Sequence, residues 1–344
     1  HADKKPQWAA SAMDKWYGKT WRERPQYGQT LHAAEARGVQ ALPGLLELAT
    51  NQAAPAIVRA TALTLAQTYA NPNTLPAVLS MLKDADPSVR IAALGMLPPA
   101  APAKRVQEAA PLLTDPVRGV RIEAARILAD LPDSQIPEGQ QTVRRAALQE
   151  YEAALALESD WPAGNVNLGN LRMRQGRQSE AIAAFERAIK LDPKFAAAYV
   201  NLADARRQQG SDSEAEIALR QGLRVLPRAA DLHHALGLLL ARKGENGPAL
   251  KEIIEAAKLA PDNARYAYVQ AVALHSAGRP AEALTVLRSA NQRHPGDIDI
   301  LGALIAISRE TGNRQATLHY ARQAAALLPG DPNLNQLVAE LESR

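Results

Sequence analysis

The chain has 344 residues, with 40 Lys and Arg against 36 Asp and Glu and a formal net charge of +4. The basic residues are dispersed among the acidic ones, which argues against a nucleic-acid surface. The absence of cysteine excludes disulfides, thiolate catalysis and any cysteine-ligated zinc within these residues. Hydrophobic residues make up 47% but aromatics only 4%, so the interior must be built from Ala and Leu, as thin stacked helices need. No run of about 18 uncharged apolar residues exists, so no membrane-spanning helix is expected. The first residues also lack the apolar region of a signal peptide, and a soluble chain is expected.

Residues 1–37 hold three of the four tryptophans, Trp8, Trp16 and Trp21, with Tyr17 and Tyr27 beside them. They are expected to form a capping segment whose aromatic side chains cover the Ala and Leu otherwise exposed at the start of the first helix pair.

From 38 to 131 a period of 31 is announced by Val58-Arg59, Val89-Arg90 and Val120-Arg121. Around each pair runs an apolar helix, a short turn and a small-residue helix. The clearest copies are Leu75 to Leu82, Asp86-Pro87, Val89 to Leu97, and then Val106 to Leu113, Asp115-Pro116, Val120 to Leu128. Proline after Asp suits a helix start, where its fixed φ and missing N–H are tolerated. The pattern resembles a short form of the HEAT repeat, whose usual unit is about 40–47 residues. Its arginines are expected to reach carboxylates of the same or a neighbouring turn, with Asp86 and Asp115 as partners. Residues 132–141 crowd Pro132, Asp133, Ser134, Pro137 and Gly139 together and read as a linker, either a hinge or a kink in one superhelix.

Residues 142–344 change period. Pro193, Pro227, Pro261, Pro295 and Pro329 recur every 34 residues, and Gly176, Gly210, Gly244, Gly278 and Gly312 keep step with them. The fullest unit, Pro162 to Pro193, puts Leu168 and Gly169 on a first helix and Ala181, Phe185 and Ala188 on a second. Tyr199, Leu202, Ala215 and Leu219, then His233, Leu236, Gly237, Ala249, Ile253 and Ala256, repeat the set. The pattern decays later, where Ala267 and Leu301 replace the aromatic, Gln270 replaces Leu, and Thr317 and Ala321 stand in for Ala and a large apolar residue. Ala147, Tyr151 and Ala154 mark a half-repeat over 142–158, and Asn333 to Glu342 a terminal capping helix with Asn335, Glu340 and Glu342 in solvent. This set at this spacing resembles the tetratricopeptide repeat family. The resemblance implies an all-α fold, an α-solenoid superhelix of helix-turn-helix units.

No Gly-x-x-x-x-Gly-Lys loop and no His-Glu-x-x-His helix occurs, so no enzyme activity is expected. Adjacent His233 and His234 point about 100° apart on a helix and do not jointly suit one metal. His233 is expected in the core, and His275, His294 and His319 read as isolated. Tetratricopeptide proteins draw partner residues from first helices that line a concave groove. The resemblance therefore implies a partner-binding face at Asn170, Arg174, Asn201, Arg207, Arg242, Arg265, Tyr268 and His275, with Met173, Asp204 and Arg309 nearby. Arginine grips carboxylates bidentately, so the expected guest is a protein or an acidic peptide; otherwise these arginines only keep the face solvated. The two-carboxylate clamp of chaperone-binding members is incomplete, since Asn170 and Asn201 match but Val166, Asp231 and Ala235 occupy the basic places.

A second resemblance rests on His-Ala-Asp-Lys-Lys, Trp8-Ala9 and Trp16-Tyr17-Gly18, followed by HEAT-like and then tetratricopeptide-like repeats. This order is similar to the stretch after the last haem-attachment motif in exported bacterial multihaem c-type cytochromes. It implies an accessory repeat region whose haem domain lies upstream, and a periplasmic or exported location. In that family His1 would close a Cys-x-x-Cys-His motif; without cysteine no haem attaches to these residues, and no cofactor is expected in the chain.

Overall fold

The computed structural model describes residues 3–18, 25–71 and 73–343, with the side chains of 35–37 also left aside. His1 and Trp21, invoked above, lie outside the described residues. Among the described residues there are twenty α-helices and no strand, as an α-solenoid requires.

The first array runs through α1 (Pro6–Tyr17), α2 (Gly28–Arg37), α3 (Leu42–Thr50), α4 (Ala56–Ala66), α5 (Leu75–Val78), α6 (Pro87–Leu94), α7 (Pro102–Ala109) and α8 (Arg118–Ile127). Several of these helices continue into or follow short 3-10 turns, at Gly38–Ala41, Gln67–Tyr69, Leu79–Lys83 and Ala110–Thr114. Arginine is the recurring fastener. Arg90 donates from Nε and Nη2 to Asp115, both at 2.9 Å, and from Nη1 to the carbonyl of Asp84 at 2.7 Å. Arg121 donates to the carbonyl of Asp115 at 2.8 Å and to Glu150 at 2.9 Å. Each guanidinium thus ties a turn of its own unit to a carboxylate of the next. Arg59 follows the rule with Asp84, not with the expected Asp86. The period explains the difference, because Asp84 and Asp115 are 31 residues apart whereas Asp86 falls at Val117. Asp86 instead caps α6, accepting from the backbone N–H of Ser88 at 2.8 Å and so satisfying a first-turn donor.

Trp8 and Trp16 of the expected tryptophan cap do not cover the array. Trp8 is 42% and Trp16 67% exposed, and α1 has no buried residue. The end of the array is covered by α2 instead, where Ala34 is buried and Tyr27, Leu31 and Ala33 pack on the same core.

At the junction, residues 132–141 are more ordered than a linker. A 3-10 turn covers Asp133–Gln135 and α9 (Glu138–Ala156) begins within the stretch. Leu131 and Ile136 are buried in a core that continues from Ala34 to Leu171. Arg144 of α9 donates to the carbonyls of Leu128 and Leu131, at 3.2 and 2.6 Å, and to Asp133 at 2.9 Å.

Five helix pairs follow: α10 (Pro162–Arg174) with α11 (Gln178–Leu191), α12 (Ala196–Gln208) with α13 (Asp212–Val225), and α14 (Ala230–Arg242) with α15 (Asn246–Leu259). The last two are α16 (Ala264–Ser276) with α17 (Pro280–Arg293) and α18 (Ile298–Glu310) with α19 (Arg314–Leu327); α20 (Pro332–Glu342) packs on α19. The glycine ladder ends the first helices with positive φ, from 72° at Gly176 to 81° at Gly244, in open space, so conformation rather than room demands glycine there. Gly169 is needed for the opposite reason, since a Cβ on it would lie 2.3 Å from the Phe185 ring.

A second ladder fastens four of the turns to the helices that follow them. Asn165 donates to the carbonyl of Ser159 at 2.7 Å, Tyr199 to that of Pro193 at 3.0 Å, and Asn335 to that of Pro329 at 3.1 Å. His233 occupies this register, with Nε2 3.1 Å from the Pro227 carbonyl and Nδ1 2.6 Å from Glu252. It is packed, as expected, but as a part-buried polar tether. Ala267 and Leu301 lack the tether, but both are buried, as are Thr317 and Ala321, so the weaker units still pack.

Candidate partner-binding groove

The period of 34 stacks equivalent residues of successive first helices in columns, among them Val200, His234 and Tyr268, and Asp204, Leu238 and Val272. Val200, His234, Asp204 and Leu238 of these columns, but not Tyr268 or Val272, line a cavity of about 530 Å³ between α12, α14 and α16. Ala203, Ala215, Leu219 and Leu239 form its buried floor, while Leu238 and Val272 remain 44% and 41% exposed one repeat apart. Two apolar side chains left in water at equivalent positions of adjacent repeats are a cost that a partner's apolar surface would remove, at about 25 cal/mol per Å².

Asn201, Asp204, Arg207 and Arg242 of the expected face line this cavity. Arg207 Nε faces Asp204 at 3.4 Å and Arg242 Nε faces Asp212 at 3.2 Å. Both are exposed single-donor contacts, worth roughly 0–1 kcal/mol each, and a guanidinium has further N–H groups to offer a guest. Arg265 lies with its guanidinium carbon 5.8 Å from the centre of the Tyr268 ring. The remaining residues are placed elsewhere. His275 is not isolated, because its Nε2 meets Glu310 at 2.8 Å across one repeat. Arg174 faces the carbonyl of Arg126 at 3.4 Å and lines a cleft with Asp130, Leu131 and Arg144, so it belongs to the junction. Asn170 is exposed on α10, outside the cavity, and Met173 is half-buried against the α11–α12 core.

Three further cavity residues form a cluster that sequence spacing did not single out. Tyr266 donates its hydroxyl to Asp231 at 2.5 Å, and its ring lies 4.5 Å from that of His234, tilted by 31°. Burial and then the Asp231 carboxylate hold the Tyr266 phenol well above its ordinary range. Burial, followed by the charge of Arg265, holds His234 below the usual imidazole range, so the ring is neutral at neutral pH. The available signal was the 34-residue column, which places His234 level with Tyr268 and Val200.

Among the described residues no group of three or more His, Asp or Glu could hold a metal ion. No helix among them is long and apolar enough to cross a membrane. The cavity has an apolar floor, one exposed apolar rung at Leu238 and the guanidinium groups of Arg207 and Arg242 on its walls.

Comparison with known proteins agrees with the repeat structure. Residues 42–129 match the HEAT repeat family model, residues 169–210 a TPR repeat model and residues 234–298 a tetratricopeptide repeat model. No curated protein matches the chain. Similar solved structures include MamA, at 19% identity and TM-score 0.42 over 47% of this chain and 94% of that one. Another is YrrB, described as a TPR protein with an unusual peptide-binding site, at 20% identity and TM-score 0.41 over 56% and 97%. A third is TTC0263, a thermophilic TPR protein of Thermus thermophilus, at 22% identity and TM-score 0.39 over 53% and 100%. The chain therefore carries HEAT repeats followed by tetratricopeptide repeats in one all-α solenoid.

Proposed function

We propose that this protein is a non-catalytic interaction scaffold that holds a protein segment in the groove of α12, α14 and α16. Tetratricopeptide repeats and the neighbouring TPR structures support the scaffold role in general. The observation that carries the specific reading is the exposure of Leu238 beside Arg207 and Arg242 in one cavity, with Val272 exposed at the equivalent position of the next repeat. Such a surface fits a segment with one or two large apolar side chains flanked by Asp or Glu, the apolar groups covering the exposed rungs and the carboxylates taking the guanidinium donors. Asp204 and Asp231 share the cavity with the two arginines, so the preference rests on the guanidinium N–H groups that do not face Asp204 or Asp212.

A displayed random peptide library panned against the chain tests the reading. Enriched peptides are expected to place Asp or Glu within a few residues of Leu, Met or Phe. Leu238→Asp and Arg242→Glu are each expected to weaken them by roughly tenfold, about 1.4 kcal/mol. Enrichment of basic peptides, or binding that survives both substitutions, would overturn it.

A further inference from the structure

Far from the groove, the beginning of the HEAT array meets the turn between α17 and α18. An ideal Cβ on Gly38 would lie 3.5 Å from the carbonyl oxygen of Gly296 and 3.9 Å from its Cα, so the two backbones touch. Around this contact is a cleft of about 470 Å³, lined by Val39, Thr68 and Tyr69 on one side and by Arg293, His294 and Asp299 on the other. Asp297 is close enough that its charge adds to burial in raising the Tyr69 phenol above its ordinary range.

The two ends of the HEAT array are held in opposite ways. Where it meets α9, Arg121 reaches Glu150 and Arg144 reaches two carbonyls and Asp133. At the Gly38–Gly296 seam three polar groups are turned to their own side. The Tyr69 hydroxyl donates to the Ala34 carbonyl at 3.0 Å, Asp297 caps α18 by accepting from Ile300 N–H at 2.9 Å, and Arg293 faces Asp262 at 3.8 Å. Among the described residues that line the cleft, no hydrogen bond or ion pair crosses the seam. His294 Nε2 is buried there without a partner, a cost that separation of the two sides would relieve by admitting water.

We propose that this seam is a clasp: it holds the solenoid closed on itself and opens without unfolding either array. Opening leaves the packed junction at α9 intact and changes the curvature of the repeats between the seam's two halves, the groove included. It stands independently of what the groove binds.

The absence of cysteine makes the test clean. In a Thr68→Cys, Asp299→Cys double variant, a short bismaleimide applied to dilute protein is expected to give an intramolecularly linked monomer, which neither single variant yields. Adding Val39→Glu, which places a further carboxylate against Asp297, is expected to slow the linkage by about tenfold while helix content and melting temperature stay unchanged. No linked monomer in the folded chain, or a rate indifferent to Val39→Glu, would overturn the clasp. Loss of helix on Val39→Glu would do so too, because the seam would then be part of the folded core. Small-angle scattering of the unaltered chain supplies a reading without substitutions: the closed structure must fit the curve, and a fit only by an opened arc contradicts the proposal.

Discussion

The two repeat arrays solve the same stacking problem with different chemistry. The HEAT array fastens successive units through buried charge: Arg59, Arg90 and Asp115 are all buried, yet each is paired. The tetratricopeptide array fastens its units through shape, with a ring filling the space a side chain would take at Gly169 and a carbonyl tether at Asn165, Tyr199 and His233. Charge pairs must be complete to be tolerable when buried, whereas shape can erode gradually. That difference fits the decay of the 34-residue pattern through Ala267 and Leu301 without the helices separating, while the buried Arg ladder holds at Arg59 and Arg90.

Arg90→Ala should have the largest effect, a loss of about 3–5 kcal/mol in chemical denaturation, because it strands the buried Asp115 carboxylate. Replacing both partners, Arg90→Met with Asp115→Leu, should cost far less, and equal losses would show that charge pairing is not what matters. Gly169→Ala should cost about 1–3 kcal/mol, since the new Cβ would meet the Phe185 ring at 2.3 Å. A neutral result would mean that the helix pair relaxes easily and that shape is not the fastener.

Acid should separate the two arrays next. The Arg59 hydrogen bond holds Asp84 below the ordinary carboxylate range. Burial pushes Asp115 up, but the Arg90 hydrogen bond, the Val117 N–H and nearby arginine charge together bring it down. A carboxylate depressed in the folded chain stabilises it fully above the unfolded value of 3.8 and loses that contribution as pH falls towards the folded value. Glu216 and Glu282 of the second array are also held low by their cationic partners, but on more exposed side chains. Segment-resolved hydrogen exchange should therefore show residues 56–127 opening before 162–327 as pH drops below that value. The reverse order would contradict the contrast. The smallest effect belongs to Tyr199→Phe, about 1 kcal/mol for the lost bond to the Pro193 carbonyl, measured as a shift in denaturation midpoint.

The helix pairs were legible in the amino-acid sequence because they rest on local demands: a positive φ at Gly176 and its equivalents, and a small residue at Gly169. Arginine partners were half legible. Asp115 was found, but Asp86 was named where the partner is Asp84, which stands 31 residues before Asp115; Asp86 caps α6 instead. The 34-residue columns brought Asn201, Arg207 and Arg242 to one cavity. They failed for Arg174, which the packed junction draws towards Arg126, and for the Asp231, His234 and Tyr266 cluster, whose members matter only once adjacent repeats stack. The exposure of Trp8 and Trp16 and the Gly38–Gly296 seam have no local signature at all.

The groove assignment can be tested against the rest of the surface with a photoreactive benzoylphenylalanine placed at Leu238 or at Trp161, an exposed site outside the cavity. With the library-selected peptide as probe, the account predicts linkage from position 238 and none from 161. Linkage from 161 but not from 238 would contradict it.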